Sequence, residues 1–439
     1  MTPPDRTFTP SRRSLLTGGA AALGGASLAQ AASEPVQNPA AAPESDTTAQ
    51  RQPFHGIHQS GIVTPRPATG LVAAFDVTAT SLGELERLFR LLSERIAFLT
   101  EGGPAPTAGP GFPPPDSGIL GPVIVPDNLT VTIALGASLF DDRFGLGPLK
   151  PKHLQRMKRF RNDALDGALC HGDLLLQVCA NTADTNIHAL RDILKNAPDL
   201  LLLRWKQEGS VPVLKPRQGE PAESARNLLG FRDGTANPDA ADKALMDHLV
   251  WVQPGSGEPE WAVNGSYQAV RIIRNFVERR DRTPLGEQEA IMGREKASGA
   301  PFGGTREYDE PVYGDDPEGK RTRLDAHIRL ANPRRPETEG SRMLRRPFNY
   351  SNGVTRAGQL DMGLLFICFQ QDLERSFIAV QKRLDGEPLE EYIKPVGGGY
   401  FFALPGVPDA ASHLGAGLIA AARGIAPASV STSPRKTGD

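Results

Sequence analysis

The stretch GFRDGTANP, residues 230 to 238, sets an arginine and an aspartate between glycines and closes on Asn-Pro. Glycine, aspartate, asparagine and proline are what any sharp turn is built from, so a plain turn is the first reading. Two charged side chains beside Gly234, straight after the apolar Leu228 and Leu229, raise a second: that Asp233 has a chemical task. A histidine in DAHIRLANPRR (325–335) gives that task a partner. His327 is followed by a cationic, turn-forming run and then by RMLRRPFNY (342–350), and the arginines at 334, 335, 345 and 346 are more cations than a solvated loop needs. The other seven histidines have no ligand-like surroundings in the sequence.

These residues need a frame, and the periodicities supply one. LVAAFDVTA (71–79) reads as a strand, and Ser81 with Glu84 forms a capping box ahead of a helical apolar face of Leu85, Leu88, Phe89, Leu92, Ile96 and Leu99. After a Gly/Pro-rich loop (102–127), strands at 129–135 and 173–181, a helix over 186–196 and a strand at 200–205 complete a β-α-β-β-α-β order, that of a ferredoxin-like half. The second part repeats the style, with strands at 267–277, 363–370 and 397–406 and helices over 283–294 and 372–384. The expected fold is α+β: two ferredoxin-like domains with antiparallel sheets, of the dimeric α+β barrel type. The expected boundaries are a leader at 1–31, a linker or arm at 32–66, domains at 67–220 and 221–424, and a frayed tail at 425–439.

The ends and the composition limit the function. Arg12 and Arg13 precede a Gly/Ala/Leu run that closes on Ala29-Gln30-Ala31, which reads as a twin-arginine (Tat) export leader with a cleavage signal. That run is too short and interrupted for a membrane anchor. Tat carries folded proteins, so a cofactor would be loaded before export. A net charge of −2 gives no sign of nucleic acid or an anionic membrane as partner. Three cysteines are no disulfide framework, with a Cys170–Cys179 bridge the one pairing worth considering, and no C-x-x-C-H is present to attach a c-type haem. The Cys/His spacings do not make a zinc site.

GFRDGTANP, HIRLANPR, the arginine at 345 and PVGGGYFFALPG (395–406) together resemble the dye-decolorizing (DyP-type) haem peroxidases. The Tat leader, CHGDLLLQVCANT, RDRTPLGEQEAIMGREKASGAP and VQKRLDGEPLEEYIKPVGGGYFFALPG are most similar to the deferrochelatase/peroxidase subgroup, which is exported with ferrous-iron uptake systems. The resemblance runs from about 53 to 424 and implies one non-covalent haem b in the C-terminal domain. It makes His327 the axial ligand of the haem iron, with Glu390 or Glu391 as candidate acceptor for the other ring nitrogen. Gly234, Thr235 and Ala236 match the family's haem-contacting turn, as do Asn332, Pro333 and Arg334, the last a natural partner for a propionate. It also makes Asp233 the group that moves a proton between the two oxygens of hydrogen peroxide and Arg345 the cation that stabilises the charge of O–O cleavage. The glycines are expected to hold the turn close over the macrocycle.

One departure stands out: where some members carry an asparagine two residues after the distal arginine, this chain has Pro347. Trp205, Trp251, Trp261, Tyr267, Tyr313 and Tyr400 are the candidates for electron transfer to bulky dyes, although core packing is the commoner use of such residues. Three functions follow from the resemblance. The first is an H₂O₂-dependent peroxidase acting on small organic reductants. The second is an enzyme that frees iron from haem with the porphyrin intact. The third is a non-enzymatic haem-binding or iron-delivery component docked on an iron permease. A homodimer is the expected assembly.

Overall fold

A computed structural model describes residues 47–214 and 222–424. The expected leader, the first part of the arm and the expected tail lie outside the described residues.

The N-terminal half follows the expected order. It runs β1 (Thr69–Val77), α1 (Leu82–Glu101), β4 (Thr130–Gly136), β5 (Leu174–Ala180), α2 (Ala183–Asn196) and β6 (Leu201–Ser210), with a small ribbon of β2 (Gly103–Pro104) and β3 (Val123–Ile124) tying the Gly/Pro loop. Ser81 caps α1 by accepting from the Glu84 amide at 3.2 Å. The Glu84 carboxylate reaches back one residue further than a capping box requires, to the Thr80 amide at 2.7 Å. All six apolar residues of the expected α1 face are buried, each contributing roughly 1.5–3 kcal/mol of transfer free energy. The strands stand in the order β4-β5-β1-β6.

The C-terminal half is built from β7 (Ser266–Asn275), β8 (Leu344–Arg345), β9 (Phe348–Val354), β10 (Leu360–Gln370) and β11 (Ile393–Ala403). Around them lie α3 (Lys243–Leu249), α4 (Val277–Arg280), α5 (Leu285–Met292), α6 (His327–Ala331), α7 (Ala379–Leu384) and α8 (Ala416–Ala422). β7 is flanked by β10 and β11, and β9 lies beyond β10.

Two separate sheets closing into a barrel are not what forms. The described strands make one nine-stranded sheet in the order β7-β11-β4-β5-β1-β6-β9-β10-β8, with β10 also pairing β7. It is not closed into a barrel. At the seam between β6 and β9 the ladder is a single residue pair, Ser210 with Asn349. The rest of that seam is held by side chains such as the amides of Gln207 and Asn352, 3.3 Å apart. The physical cause is the course of β6, whose ladder to β1 runs its whole length while its other edge leaves Leu202, Leu203 and Arg204 exposed.

Residues 54–66 are sewn into the body. Gln59 exchanges hydrogen bonds with both backbone groups of Ile133 and donates to Leu404. His58 stacks on Trp251 with ring centroids 3.8 Å apart, and Ile62 is fully buried. All three cysteines are free and buried, so no Cys170–Cys179 bridge forms. Among the described residues no helix is long and apolar enough to cross a membrane.

Candidate active site

His327 is the first residue of α6, and the loop before it is braced by one carboxylate. Asp316 accepts from the amides of Lys320, Arg321 and Thr322 at 2.7, 3.2 and 2.9 Å. Arg329, two residues past His327, donates to the Asp316 carboxylate and to the carbonyls of Asp316 and Thr322. From the other end Arg383 donates to the carbonyls of Leu330 and Ala331, both at 3.1 Å. The short helix therefore has little freedom to turn.

The ring itself is held by Glu387, whose Oε2 lies 2.7 Å from Nδ1. Neither Glu390 nor Glu391 makes this contact: Glu390 accepts from the Gly386 amide, and Glu391 meets Arg279 through its carbonyl. With Nδ1 donating to Glu387, the Nε2 lone pair is left free. The His327 side chain is 28% exposed, and that exposure opens into a cavity which it lines. Burial lowers the proton affinity of the imidazole, but the charge and hydrogen bond of Glu387 outweigh it, so its pKa lies above the ordinary 6.5.

The same cavity, of about 280 Å³, is lined by Asp233, Gly234, Thr235 and Ala236 from the GFRDGTANP turn, by Asn332 and Arg334, and by Arg345. Pro333 stands between two lining residues without lining the cavity itself. Arg345 Nη1 donates to Asp233 Oδ1 at 2.8 Å, and the charges of both bear on His327. Asn237 fixes this pair from behind. Its amide accepts from the Arg345 backbone N–H at 2.8 Å and donates to the Arg345 carbonyl at 3.0 Å. Thr235 gives its hydroxyl to buried Glu307 at 2.9 Å, and Arg232 of the same turn is bound to Glu223 and Ser224. Gly234 has φ of +146°, where a side chain would be strained, and a Cβ there would meet Ser224 Oγ at 3.2 Å. The turn needs this glycine for its backbone and for Ser224.

Arg334 adopts φ of +55°, unusual for a residue with a side chain. The Asn332 side chain supports it by accepting from the Arg334 amide at 3.2 Å. Arg334 pairs with Glu310 at 3.1 Å, an 80% exposed carboxylate. Pro347, the departure from the family pattern, accepts from Arg66 of the arm at 2.5 Å. Part of the wall is apolar, with Ile273, Leu364, Phe366, Phe377, Leu389 and Ile393 among the lining residues, and polar residues such as Asn227, Arg294 and Gln381 complete it. Phe377 comes from a π-turn (Glu374–Ile378), a local widening that interrupts the helix expected over 372–384.

Five of the six aromatic candidates for electron transfer are buried. Trp205, Trp261 and Tyr267 give their polar hydrogens to His171, Leu149 and Glu258. Only Tyr313 lines the cavity. Glu387, Asn237 and Glu307 are the site residues that sequence reasoning missed.

An imidazole with a buried carboxylate behind it and a free nitrogen in a partly apolar cavity suits a metal brought in by a flat organic cofactor. Among the described residues no group of three or more His, Cys, Asp or Glu side chains is placed to hold a bare ion. This is the layout of a haem enzyme. The chain belongs to the DyP-type peroxidase family. Residues 59–210 match the family described as Dyp-type peroxidase, N-terminal, and residues 224–408 match Dyp-type peroxidase, C-terminal.

A deferrochelatase of Escherichia coli O6:K15:H31 is 58% identical over 412 residues, 93% of this chain and 97% of the relative. A deferrochelatase of Yersinia pseudotuberculosis is 57% identical over 424 residues, 95% of this chain and 97% of that one. Among solved structures, the DyP-type peroxidase of Cellulomonas bogoriensis superposes with a TM-score of 0.75 at 34% identity, covering 85% of this chain and 99% of its own. Ferric DtpA of Streptomyces lividans gives 0.76 at 33% identity, covering 86% and 100%. The chain is accordingly a haem-dependent peroxidase, closely related to bacterial deferrochelatases.

Proposed function

We propose that the cavity holds one haem b with His327 Nε2 on the iron, and that Asp233 and Arg345 carry out the acid–base and electrostatic work of hydrogen peroxide cleavage. The observation that carries this reading is the presence in one cavity of two polar pairs, His327–Glu387 and Asp233–Arg345, beside an apolar stretch of wall. Glu387 keeps the His327 ring oriented and its Nε2 basic, as a good iron ligand needs. Arg334 lies ready for an acidic side chain of the porphyrin, and the backbone of Gly234, Thr235 and Ala236 packs against the ring.

Bound there, haem supplies the electrons that break the O–O bond. The protein supplies the proton path. Arg345 occupies Asp233 Oδ1, leaving Oδ2 to take the proton from the near oxygen of the peroxide and return it to the far one, so that water departs. The Arg345 guanidinium stabilises the negative charge that grows on the departing oxygen. A carrier or delivery component would need neither group, and the Asp233–Arg345 pair favours an enzyme for that reason.

Small organic reductants then restore the enzyme. The names of the 57–58% identical relatives support a second activity in the same pocket, release of iron from haem with the porphyrin left intact. The Arg12–Arg13 leader supports Tat export to the periplasm, where an iron-permease system would be the partner, and a homodimer is the proposed assembly.

The test is the absorption spectrum of the purified protein before and after peroxide. The wild type should show a haem Soret band that changes within one turnover. His327→Ala should be folded but hold little haem, with the band lost or shifted. A wild-type spectrum in that variant, without added imidazole, would mean that His327 is not the ligand.

A further inference from the structure

The two residues after Arg345 are held by the arm at 54–66. Arg346 is only 5% exposed, and its Nη1 donates to the carbonyl of Ile62 at 3.3 Å and to that of Thr64. The next carbonyl, that of Pro347, accepts from Arg66 Nη1 at 2.5 Å. The arm therefore gives two acceptors to Arg346 and takes one from Pro347, which locks the two segments together. Burial brings the Arg346 pKa down to about 10, so it is still charged at neutral pH. Hydrogen bonds from a charged donor are roughly twice as strong as neutral ones.

The arm is itself fixed to the middle of the sheet. Thr132 of β4 gives its hydroxyl to the Ser60 carbonyl at 2.7 Å, and Gln177 of β5 donates to the Gly61 carbonyl at 2.9 Å. Thr64 turns its hydroxyl back to accept from the Gly61 amide at 3.0 Å. Arg66 also reaches the distal pair by charge. Asp233 and Arg345 both act on its guanidinium, the first favouring the cation and the second opposing it. Arg345 keeps the close contact with Asp233, at 2.8 Å, so Arg66 is a further cation beside that pair at longer range. Arg345 thus hangs between two fixtures, Asn237 on its own backbone and the arm on the two residues that follow.

We propose that Arg66 is a positioning residue for peroxide cleavage: with Arg346 it clamps the 346–347 backbone to the arm and so sets where the Arg345 guanidinium lies in the cavity. Arg66 does not line that cavity, so it works through Arg345 and not on the peroxide. A long, flexible side chain is preorganised only when the backbone it hangs from is fixed, and a displacement of about 1 Å can cost about 10²-fold in rate. The arm and the strands that anchor it thereby contribute to a reaction whose cavity they do not line. This inference rests on the reading that Arg345 serves peroxide cleavage.

The experiment takes two readings on the full-length holoenzyme, the stopped-flow rate with peroxide alone and the fluoride affinity of the ferric protein. Fluoride reports the Arg345 guanidinium without turnover, because the bound anion accepts a hydrogen bond from it. Arg66→Ala should slow the peroxide reaction and weaken fluoride binding, each roughly tenfold, with haem content and Soret band as in the wild type. Arg66→Lys can still donate to the Pro347 carbonyl and should recover most of both losses. Added to Arg345→Leu, Arg66→Ala should cost nothing further, since it acts through that residue. Losses that multiply in the double variant would overturn the inference. So would wild-type readings in Arg66→Ala, or haem lost in step with the rate, which would mean a loosened fold. Should the alanine variant not fold, Arg66→Gln, shorter and uncharged, decides by the same readings. A normal peroxide rate in Arg345→Leu alone would instead refute the role of Arg345 on which the inference rests.

Discussion

In the proposed mechanism two ion pairs divide the chemistry at the scale of single residues. Asp233→Asn keeps the size of the side chain but removes the base, and Arg345→Leu removes the charge. Each should slow the reaction with peroxide by about 10²–10³-fold while haem stays bound. If they act on one transition state, the double variant should be far less impaired than the product of the two losses. Stopped-flow absorption with peroxide alone measures this, free of the reductant step. An unchanged rate in Asp233→Asn would return GFRDGTANP to a haem-facing turn. Glu387→Gln should weaken haem binding about 10–100-fold, since a neutral amide no longer keeps His327 basic, and a haem titration checks it. Asp233, His327 and Arg345 were legible because a family pattern marks them. Glu387 was not, because it lies 60 residues from His327 beside two other glutamates. Only the 3₁₀ turn begun by Pro388 decides which of the three faces back. Asn237 was hidden in the same way, as an apparent turn residue whose amide serves a backbone 108 residues distant.

Among the elements, α6 depends on the loop before it. Three backbone amides and Arg329 hold the Asp316 carboxylate, and the Thr322 amide does most to depress its pKa below the ordinary 3.8. A carboxylate with a lowered folded pKa stabilises fully above about pH 4, its unfolded value, and loses that contribution as the pH falls through the folded one. The part of haem retention that depends on Asp316 should therefore persist at pH 4 and decline only below it. Asp316→Asn should hold haem less well at neutral pH and lose the acid transition that this group causes. Soret absorbance followed from pH 7 to 2 tests both. The two helices of the N-terminal half and most long strands were readable from apolar period, as the six buried residues of α1 illustrate, whereas the short α3, α6 and α8 were not. β9 was not, because FNYSNGV carries Asn, Ser and Gly where a strand pattern wants branched residues and relies on β10 for its register. The π-turn was equally invisible, since one extra residue per turn leaves the amphipathic pattern nearly intact.

For the whole molecule, export is the first test. Replacing Arg12 and Arg13 by lysine should trap haem-loaded protein in the cytoplasm, read by fractionation and haem absorbance. Normal secretion of that variant would argue against the Tat route. The ferredoxin-like order of the N-terminal half was legible from the succession of elements, and that of the C-terminal half only in part, because β9 was missed. How the halves join was not, because edge pairing leaves no period in the sequence. That join has a consequence for how the protein breathes. Of the residues that line the cavity around His327, all but Asn162 come from position 227 onward, whereas the single-pair seam at Ser210 and Asn349 lies between the halves. Parting there breaks one rung and leaves the cavity walls together, while the halves stay joined by the three-pair ladder of β4 and β11 and by a shared core. The first motion on warming should thus be a local opening of the β6–β9 seam that the cofactor does not feel. Hydrogen exchange would register it as early labelling along the free edge of β6 with the Soret band unmoved. The N-terminal half is in that sense a tolerant partner, free to vary on its outer face while the chemistry is held constant beside it.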